Sequence, residues 1–449
     1  MLSNTRKARS RWMASLLALG LMAGVSGCDS WLAVTNPNQI AGSDTELPVA
    51  ATGLANGAMA TVMWGYGAIL TSYSTVTDEL DWSGSRDAYQ QHDFGNMADP
   101  YNEFTDDEFR FISQGRWMAD YAVSILEGHD TDGTLDDRTD LARAMMFAAV
   151  ARIIIADMFD DFVFSDRQVA GAPIGPANMG GLYDQAVTLL TDAMAIATAE
   201  GSSSLNRAAQ ALRARAHHGK AVWAKVGQRP IDMSNNGLVS SASAVSDAQA
   251  ILAATGGDAS TYSYGFQYSP DVFAPAIANW VNSRQEMRVG AAYAEPHPTK
   301  PTFIAPWLMD PIDAVVSPEL DRAVDAFSDT FYPYMPLVTA RELRLIIAED
   351  ALAGANTATF ETQINLLRAL DGLTDFVSGG GGMPTDIDML TYSRMSNMWL
   401  QGRRLADMYR FGITDPMWQV SSTAVTAPGT FLPITIIECR ANENIPNTC

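Results

Sequence analysis

The sequence predicts a mainly α-helical protein, a tetratricopeptide-like frame of helical pairs from which long, irregular, aromatic-rich loops depart. Three observations predict it. Apolar residues recur at helical spacing through several long segments. Two stretches, 65–104 and 227–338, lose that spacing and collect Pro, Gly, Ser, Asn and aromatic residues instead. The chain holds 10 Trp, 14 Tyr and 17 Phe, far too many for a disordered acidic polymer.

The elements follow in order. Pro48 to about Trp64 reads as an Ala- and Gly-rich helix, and 65–104 as turns and long loops. Thr105 with Glu108 has the spacing of a capping box, Asp106 and Asp107 suit a helix N-terminus, and Gly128 suits a stop. A second helix spans about Thr139 to Phe159, with Leu141, Ala144, Met145, Ala148, Ala151, Ile155 and Met158 on one face. Leu182–Ala199 and the Ala-rich Leu205–Val226 form a further pair, whose small residues permit close helix approach. Through 227–338 only the aromatic alternation at 262–268 has a period, that of a short strand. Helices return at Thr339–Ala353, Glu361–Leu370 and, after Pro384, as one long helix from Thr385 to Arg410 with Gly412 as its cap. The tail, 411–449, reads as irregular. The frame is therefore 48–226 plus 339–410, and because both ends contribute to it, 48–449 is one interleaved domain.

The N-terminus carries a different signal. Arg6, Lys7, Arg9 and Arg11 precede an apolar run, Met13 to Val25, too short to span a bilayer comfortably. This is the pattern of a secretory signal over 1–27. Val25-Ser26-Gly27-Cys28 resembles a bacterial lipobox. That resemblance implies cleavage before Cys28 and lipid on its sulfur, with 28–47 as anchor and arm; two or more acyl chains hold a protein stably on a membrane. Asp29 is a residue that in some bacteria retains a lipoprotein at the inner membrane, so this signal alone leaves the membrane open.

The 29 basic and 51 acidic residues set the formal charge at −22. Loss of residues 1–27 removes four basic and no acidic residues, which moves it to −26. Such a surface repels phosphate backbones, and nucleic acid is excluded as a partner. Cys439 and Cys449 remain after Cys28 is assigned, and in an oxidising compartment they are expected to close a small disulfide loop. Metal sites and cofactors are not expected. The five histidines make no zinc spacing. The acid-rich loop Asp130–Asp137 has Leu141 where an EF-hand needs Glu, which leaves only a structural calcium open there.

The order of features now resembles the SusD/RagB family of outer-membrane nutrient-binding lipoproteins. After the lipobox, Trp31-Leu32-Ala33-Val34-Thr35-Asn36-Pro37-Asn38 resembles its arm. Asn206–Ala216 is similar to a helix that begins one of its repeats, and Arg341–Ala351, with Ala348 and Glu349 in register, to another. Arg394, Gly402, Arg404, Asp407, Met408, Arg410 and Gly412 resemble its last helix, and Pro433-Ile434, Glu438 and Asn442 its closing element. Asn397, Gln401 and Thr435 depart from the pattern. The resemblance implies a SusD-like fold, an outer-membrane, surface-exposed address, and a SusC-like TonB-dependent transporter as partner. It also implies capture of oligosaccharide or peptide nutrients without catalysis.

Candidate ligand contacts are loop aromatics with polar neighbours, since a sugar's C–H face packs on an aromatic plane while its hydroxyls need polar partners. The first loop supplies Trp82 and Tyr89 with Asp78, Asp81 and Arg86; the second supplies Trp280 with Asn279, Asn282 and Arg284, and Trp307 with Asp310. Local packing competes with ligand binding at each of them. Arg404, Asp407 and Arg410, three apart, are expected to form a structural network that clamps the tail to the frame. Two other readings compete for function. One is a helical scaffold lipoprotein without a small ligand. The other is a surface glycoside hydrolase, for which the acid pairs show no opposition across a sugar.

Overall fold

The computed structural model describes residues 42–166, 169–227, 231, 236–293, 308–328 and 330–445. The expected signal at 1–27, Cys28, the expected arm as far as residue 41, Trp307 and Cys449 lie outside these residues. Residues 1–50 and 51–449 are two separate units. Of the first, the helical turns Gly42–Thr45 and Pro48–Ala50 are described. No helix among the described residues is long and apolar enough to cross a membrane.

The larger unit is built on helices that pack each on the next. They are α1 (Ala51–Val76), α2 (Asp87–Asp93), α3 (Glu103–Thr131), α4 (Arg138–Met158), α5 (Gly181–Ala199), α6 (Ser203–Val226) and α7 (Ala242–Ala254). Helix α1 lies on α3, α3 on α4, α4 on α5, α5 on α6 and α6 on α7. Then α8 (Pro318–Ser328), α9 (Ala340–Ala353), α10 (Thr357–Leu370), α11 (Asp386–Asn397) and α12 (Arg404–Phe411) complete it. Helix α9 docks on α7, α10 and α11, so the C-terminal third continues the stack. The fold is mainly α with repeated helical pairs, as the periodicity predicts. Two antiparallel ribbons join segments distant in sequence: β1 (Leu80–Trp82) with β3 (Met287–Val289), and β2 (Ser263–Gln267) with β4 (Tyr334–Thr339). The strand expected at 262–268 is β2.

Small residues set the helix spacing. A Cβ on Gly65 would sit 2.8 Å from the Ile112 Cα, and one on Gly115 3.0 Å from the Thr61 carbonyl, so α1 and α3 touch backbone to backbone. Helix α4 is buried on nearly every side, with Ala144, Ala148, Ala149, Ala151 and Ala156 interleaved with Ile153, Ile154 and Ile155. Any side chain at Gly65 must push the two helices apart. Gly65→Val should cost about 1–3 kcal/mol as an overpacked core site, and a calorimetric melt lowered by several degrees checks it.

Several expected boundaries are corrected. Helix α1 does not stop near Trp64 but runs to Val76, and 65–104 holds β1 and α2 as well. Its Thr and Ser residues are weak helix formers, yet Thr71, Ser72, Ser74 and Thr75 are fully buried and Thr75 Oγ1 back-bonds to the Thr71 carbonyl at 2.8 Å; burial overrides propensity. The cap of α3 is Asn102, whose side chain accepts from the Phe104 and Thr105 amides. Thr105 and Glu108 are both buried within that helix, and α3 continues past Gly128 to Thr131. The region 227–338 contains α7 and α8, so it is less irregular than its composition suggests. The expected single helix 385–410 is two, α11 and α12. They are broken at 398–403, where Leu400 and Gly402 have φ of +53° and +76°. Gly412 caps α12 in the left-handed region, as its position predicts.

Candidate functional site

The break between α11 and α12 places its residues on the floor of an open cleft. The turn is held from below by Glu79, whose Oε1 accepts from the Leu400 amide at 2.7 Å and whose carbonyl accepts from the Trp399 indole at 3.4 Å. Complete burial pushes the Glu79 carboxyl up to about 7 against the hydrogen bonds that favour its ionised form. The cleft has a volume of about 570 Å³. Its walls are the β2–β4 ribbon and α8, and its floor is Asn397, Trp399, Leu400 and Gln401.

Aromatic and polar groups share this cleft. Tyr334 is 41% exposed at its mouth, and its phenol accepts from Ser263 Oγ at 3.1 Å. Tyr262 is half-buried beside it, and burial raises its pKa to about 12; like any neutral phenol it can donate and accept a hydrogen bond. Phe327 packs edge-on against Trp399 at 5.6 Å. Along the rim Arg322 pairs with Glu319 at 2.7 Å and with Asp371, while Arg341 pairs with Asp371 at 2.7 Å and Glu319 at 3.1 Å. Among the described residues of the rim, two arginines thus balance two carboxylates. A charge-balanced cleft with a phenol at its mouth suits an uncharged ligand with apolar faces and hydrogen-bonding edges.

The loop residues chosen from sequence lie elsewhere. The β1–β3 ribbon brings Trp82, Arg86, Tyr89, Trp280, Asn282 and Arg284 into one neighbourhood, since Trp82 pairs with Met287 and Glu286 accepts from the Ser85 and Arg86 amides. Packing claims most of them. Tyr89 is fully buried, stacked on Phe104 at 3.9 Å, and both rings meet Trp280 edge-on; this corrects its assignment as a ligand contact. The Arg284 guanidinium covers the Trp280 face at 4.8 Å. Asn282 donates to the Phe327 and Thr330 carbonyls, so it ties this loop to the end of α8 behind the cleft. Trp82 is half-buried, and Arg86 and Arg284 are exposed. Asp78 is buried in a two-pronged pair with Arg404, at 2.7 and 2.6 Å, and cannot face a ligand without breaking it. Asp310 holds Arg368 and faces inward.

The three-residue network on α12 is also rearranged. Asp407 joins Arg394 at 2.8 Å and Arg410 at 2.8 Å, and Arg410 continues to Glu349, whereas Arg404 turns away to Asp78. Arg404 and Asp407 do not pair, because the helix start sends Arg404 toward β1. Cys439 is buried against Val163 and Ile445, and its expected partner lies outside the described residues.

Tyr262, Tyr334, Glu319 and Arg341 were not among the sequence candidates. One signal could have found the wall that carries Glu319: Ser317-Pro318-Glu319 is a helix start, with Pro at the first helical position and acids in the first turn, and it announces α8. Among the described residues no group of three or more His, Cys, Asp or Glu side chains is placed to hold a metal ion.

No protein-family model matches the chain, and no curated protein matches it in sequence. Solved structures do match in shape. A SusD superfamily protein from Bacteroides vulgatus aligns with a TM-score of 0.59 at 13% identity, over 89% of this chain and 98% of its own. A SusD homolog from Bacteroides thetaiotaomicron aligns at 0.59 and 14% identity, over 91% and 98%. A SusD superfamily protein from Parabacteroides distasonis aligns at 0.57 and 13%, over 91% and 99%. Across nearly its whole length, this chain has the fold of SusD superfamily proteins.

Proposed function

We propose that this protein is a non-catalytic lipoprotein of the outer-membrane surface that captures a nutrient in the cleft between β4, α8 and the α11–α12 break. It passes the ligand to a TonB-dependent transporter of the SusC type. The cleft itself carries the reading: exposed Tyr334 and half-buried Tyr262 face a hydrogen-bonding volume of about 570 Å³ whose described charged residues are paired with one another. A pyranose presents C–H faces to such phenols and hydroxyls to the rim. An uncharged peptide segment offers the same two kinds of surface, so oligosaccharide and peptide are both within the ligand class. The SusD fold and the lipobox-like Cys28 support the membrane address and the transporter partner.

The test uses soluble protein lacking residues 1–28 against a panel of neutral oligosaccharides and peptides, read by tryptophan fluorescence and calorimetry. Tyr334→Ala is expected to weaken the best ligand by about tenfold, the effect of losing one aromatic platform. Unchanged affinity would place binding elsewhere, on the Trp82–Trp280 surface first. Detergent extraction of the full-length protein should bring a large β-barrel with it, and intact mass should show acyl chains on Cys28. A scaffold without a small ligand would give the barrel or another envelope protein and no fluorescence response; a hydrolase would release reducing ends.

A further inference from the structure

Three segments meet beside β1: the strand itself, the end of α2 at Asp93–Gly95, and the segment 415–424. Their union is made by main chain and indole. The Trp418 indole donates to the Val76 carbonyl at 2.8 Å, the Gln419 amide to the Phe94 carbonyl at 3.0 Å, and the Ala424 amide to the Gly95 carbonyl at 3.0 Å. Gly95, at φ +82°, brings the turn so close that a Cβ there would lie 2.7 Å from Ser422 Oγ.

At the centre are two carboxyl groups with too few partners. Asp93 is fully buried and neither of its oxygens has a hydrogen bond of ordinary distance and angle; the Trp82 amide nearby only partly offsets that burial. Asp415 is 5% exposed; one oxygen accepts from the Met417 amide at 2.8 Å, and the other has no hydrogen bond. The charges that act on them come from β1, β3 and α12. They are Asp81 on β1, Arg288 on β3, Asp78 at the approach to β1, and Arg404 on α12. Both arginines are engaged by other acids, Arg288 beside Asp81 at 3.6 Å and Arg404 with Asp78 at 2.6 Å. His92, next on α2, is buried, bonded to Thr105 and held low at about 3, so it supplies no positive charge. Buried carboxyl groups with few donors, whose nearest cations are already paired with other acids, are retained as neutral acids.

We propose that Asp93 and Asp415 form a proton-dependent clasp: while protonated they fasten the 415–424 segment to the β1–α2 corner, and their ionisation loosens it. Burial and the neighbouring acids place Asp93 near 8 and Asp415 near 7. Their folded-state affinity for protons is higher than in the unfolded chain, so the stabilisation is complete in acid and is lost as pH rises through 7 and 8. The loosened segment carries Met417 and the 87%-exposed Val420, and the same corner carries the Trp82 backbone. The clasp stands whether or not the cleft binds a nutrient.

Hydrogen exchange of the mature chain at pH 6 and pH 9, corrected for intrinsic rates, tests this. Peptides covering 415–424 and 80–95 should lose protection by about tenfold or more at pH 9, while those from α4 hold theirs. In the Asp93→Asn/Asp415→Asn double variant most of that loss in 415–424 should disappear, any remainder being that of the buried Glu79 beside β1. Equal protection in the wild type, or an undiminished loss in the double variant, overturns the clasp. Carboxyl carbon NMR of the wild type provides a readout that no variant need fold for: two aspartates should titrate at neutral to alkaline pH. A spectrum in which every aspartate titrates below pH 5 overturns it as well.

Discussion

Glu349→Ala is expected to destabilise the protein by about 3–5 kcal/mol, the cost of leaving buried charges without their partner. Glu349 is fully buried on α9 and serves four groups at once. It pairs with Arg410, with Arg394 at 3.4 Å and with His218 at 3.1 Å, and it accepts from the Val239 amide at 3.1 Å. Its removal strands two arginines, each with one remaining carboxylate, Asp407. The linkage to pH has a definite sign. Against its burial, Arg410, His218 and Arg394 hold the Glu349 carboxyl well below the usual range, and Arg394 and Arg410 hold Asp407 low. Both therefore contribute stability that is present above the unfolded-state carboxylate pKa, about 4, and is lost as pH falls through their depressed folded values. Urea melts at pH 7 and pH 3 check this: the gap in midpoint between wild type and variant should be wide at pH 7 and should narrow in acid. A gap that is constant with pH would mean that the charges are not what Glu349 contributes.

Asp78→Ala should produce a loss of similar size, about 3–5 kcal/mol, by a different route. Asp78 and Arg404 join the corner after α1 to the first turn of α12, and both side chains are less than a tenth exposed. The pair lets Arg404 keep its charge: against its burial, Tyr293 and Asp78 together hold its pKa above the ordinary arginine value. Deleting the carboxylate leaves a guanidinium between Tyr293 and Asp407 without a bidentate partner. The double variant Asp78→Leu/Arg404→Met should recover most of the loss, because apolar replacement of a whole buried pair is often neutral. Thermal melts of the two variants decide it. A double variant as unstable as the single one would show that the corner needs the salt bridge itself rather than a filled volume.

Helical spacing made α4, α5, α6, α9 and the Gly412 cap legible within one or two residues. Each is amphipathic or continuously apolar over several turns, and a local pattern repeated that often outweighs single-residue preferences. Two kinds of element escaped. Segments rich in Thr, Ser and Gly, such as 65–76, look like loops until their burial is known. The helices α7 and α8, at 242–254 and 318–328, sit among Pro, Gly and Ser, and composition masked their start signals. The site suffered most. Loop aromatics such as Tyr89 and Trp280 have the right chemistry for a ligand, yet Tyr89, Phe104 and Trp280 satisfy one another. Tyr334 does face solvent in the cleft, where packing leaves its ring uncovered.

By itself the sequence determined the helical class, most helix centres, the acidic composition and the ordered family-like motifs. All of these are local properties, written within a few turns of chain. The tertiary structure alone decided which charges meet, since Arg404 finds Asp78 across 326 positions and Arg410 finds Glu349 across 61. It decided where the C-terminal helix breaks, because the left-handed Leu400 turn is fixed by Glu79 from the other end of the chain. It decided which aromatics are spent in the core and which line an open cleft. The physical reason is the same in each case: a buried charge or ring is stabilised by the groups the fold brings to it, and sequence distance does not reveal which those are.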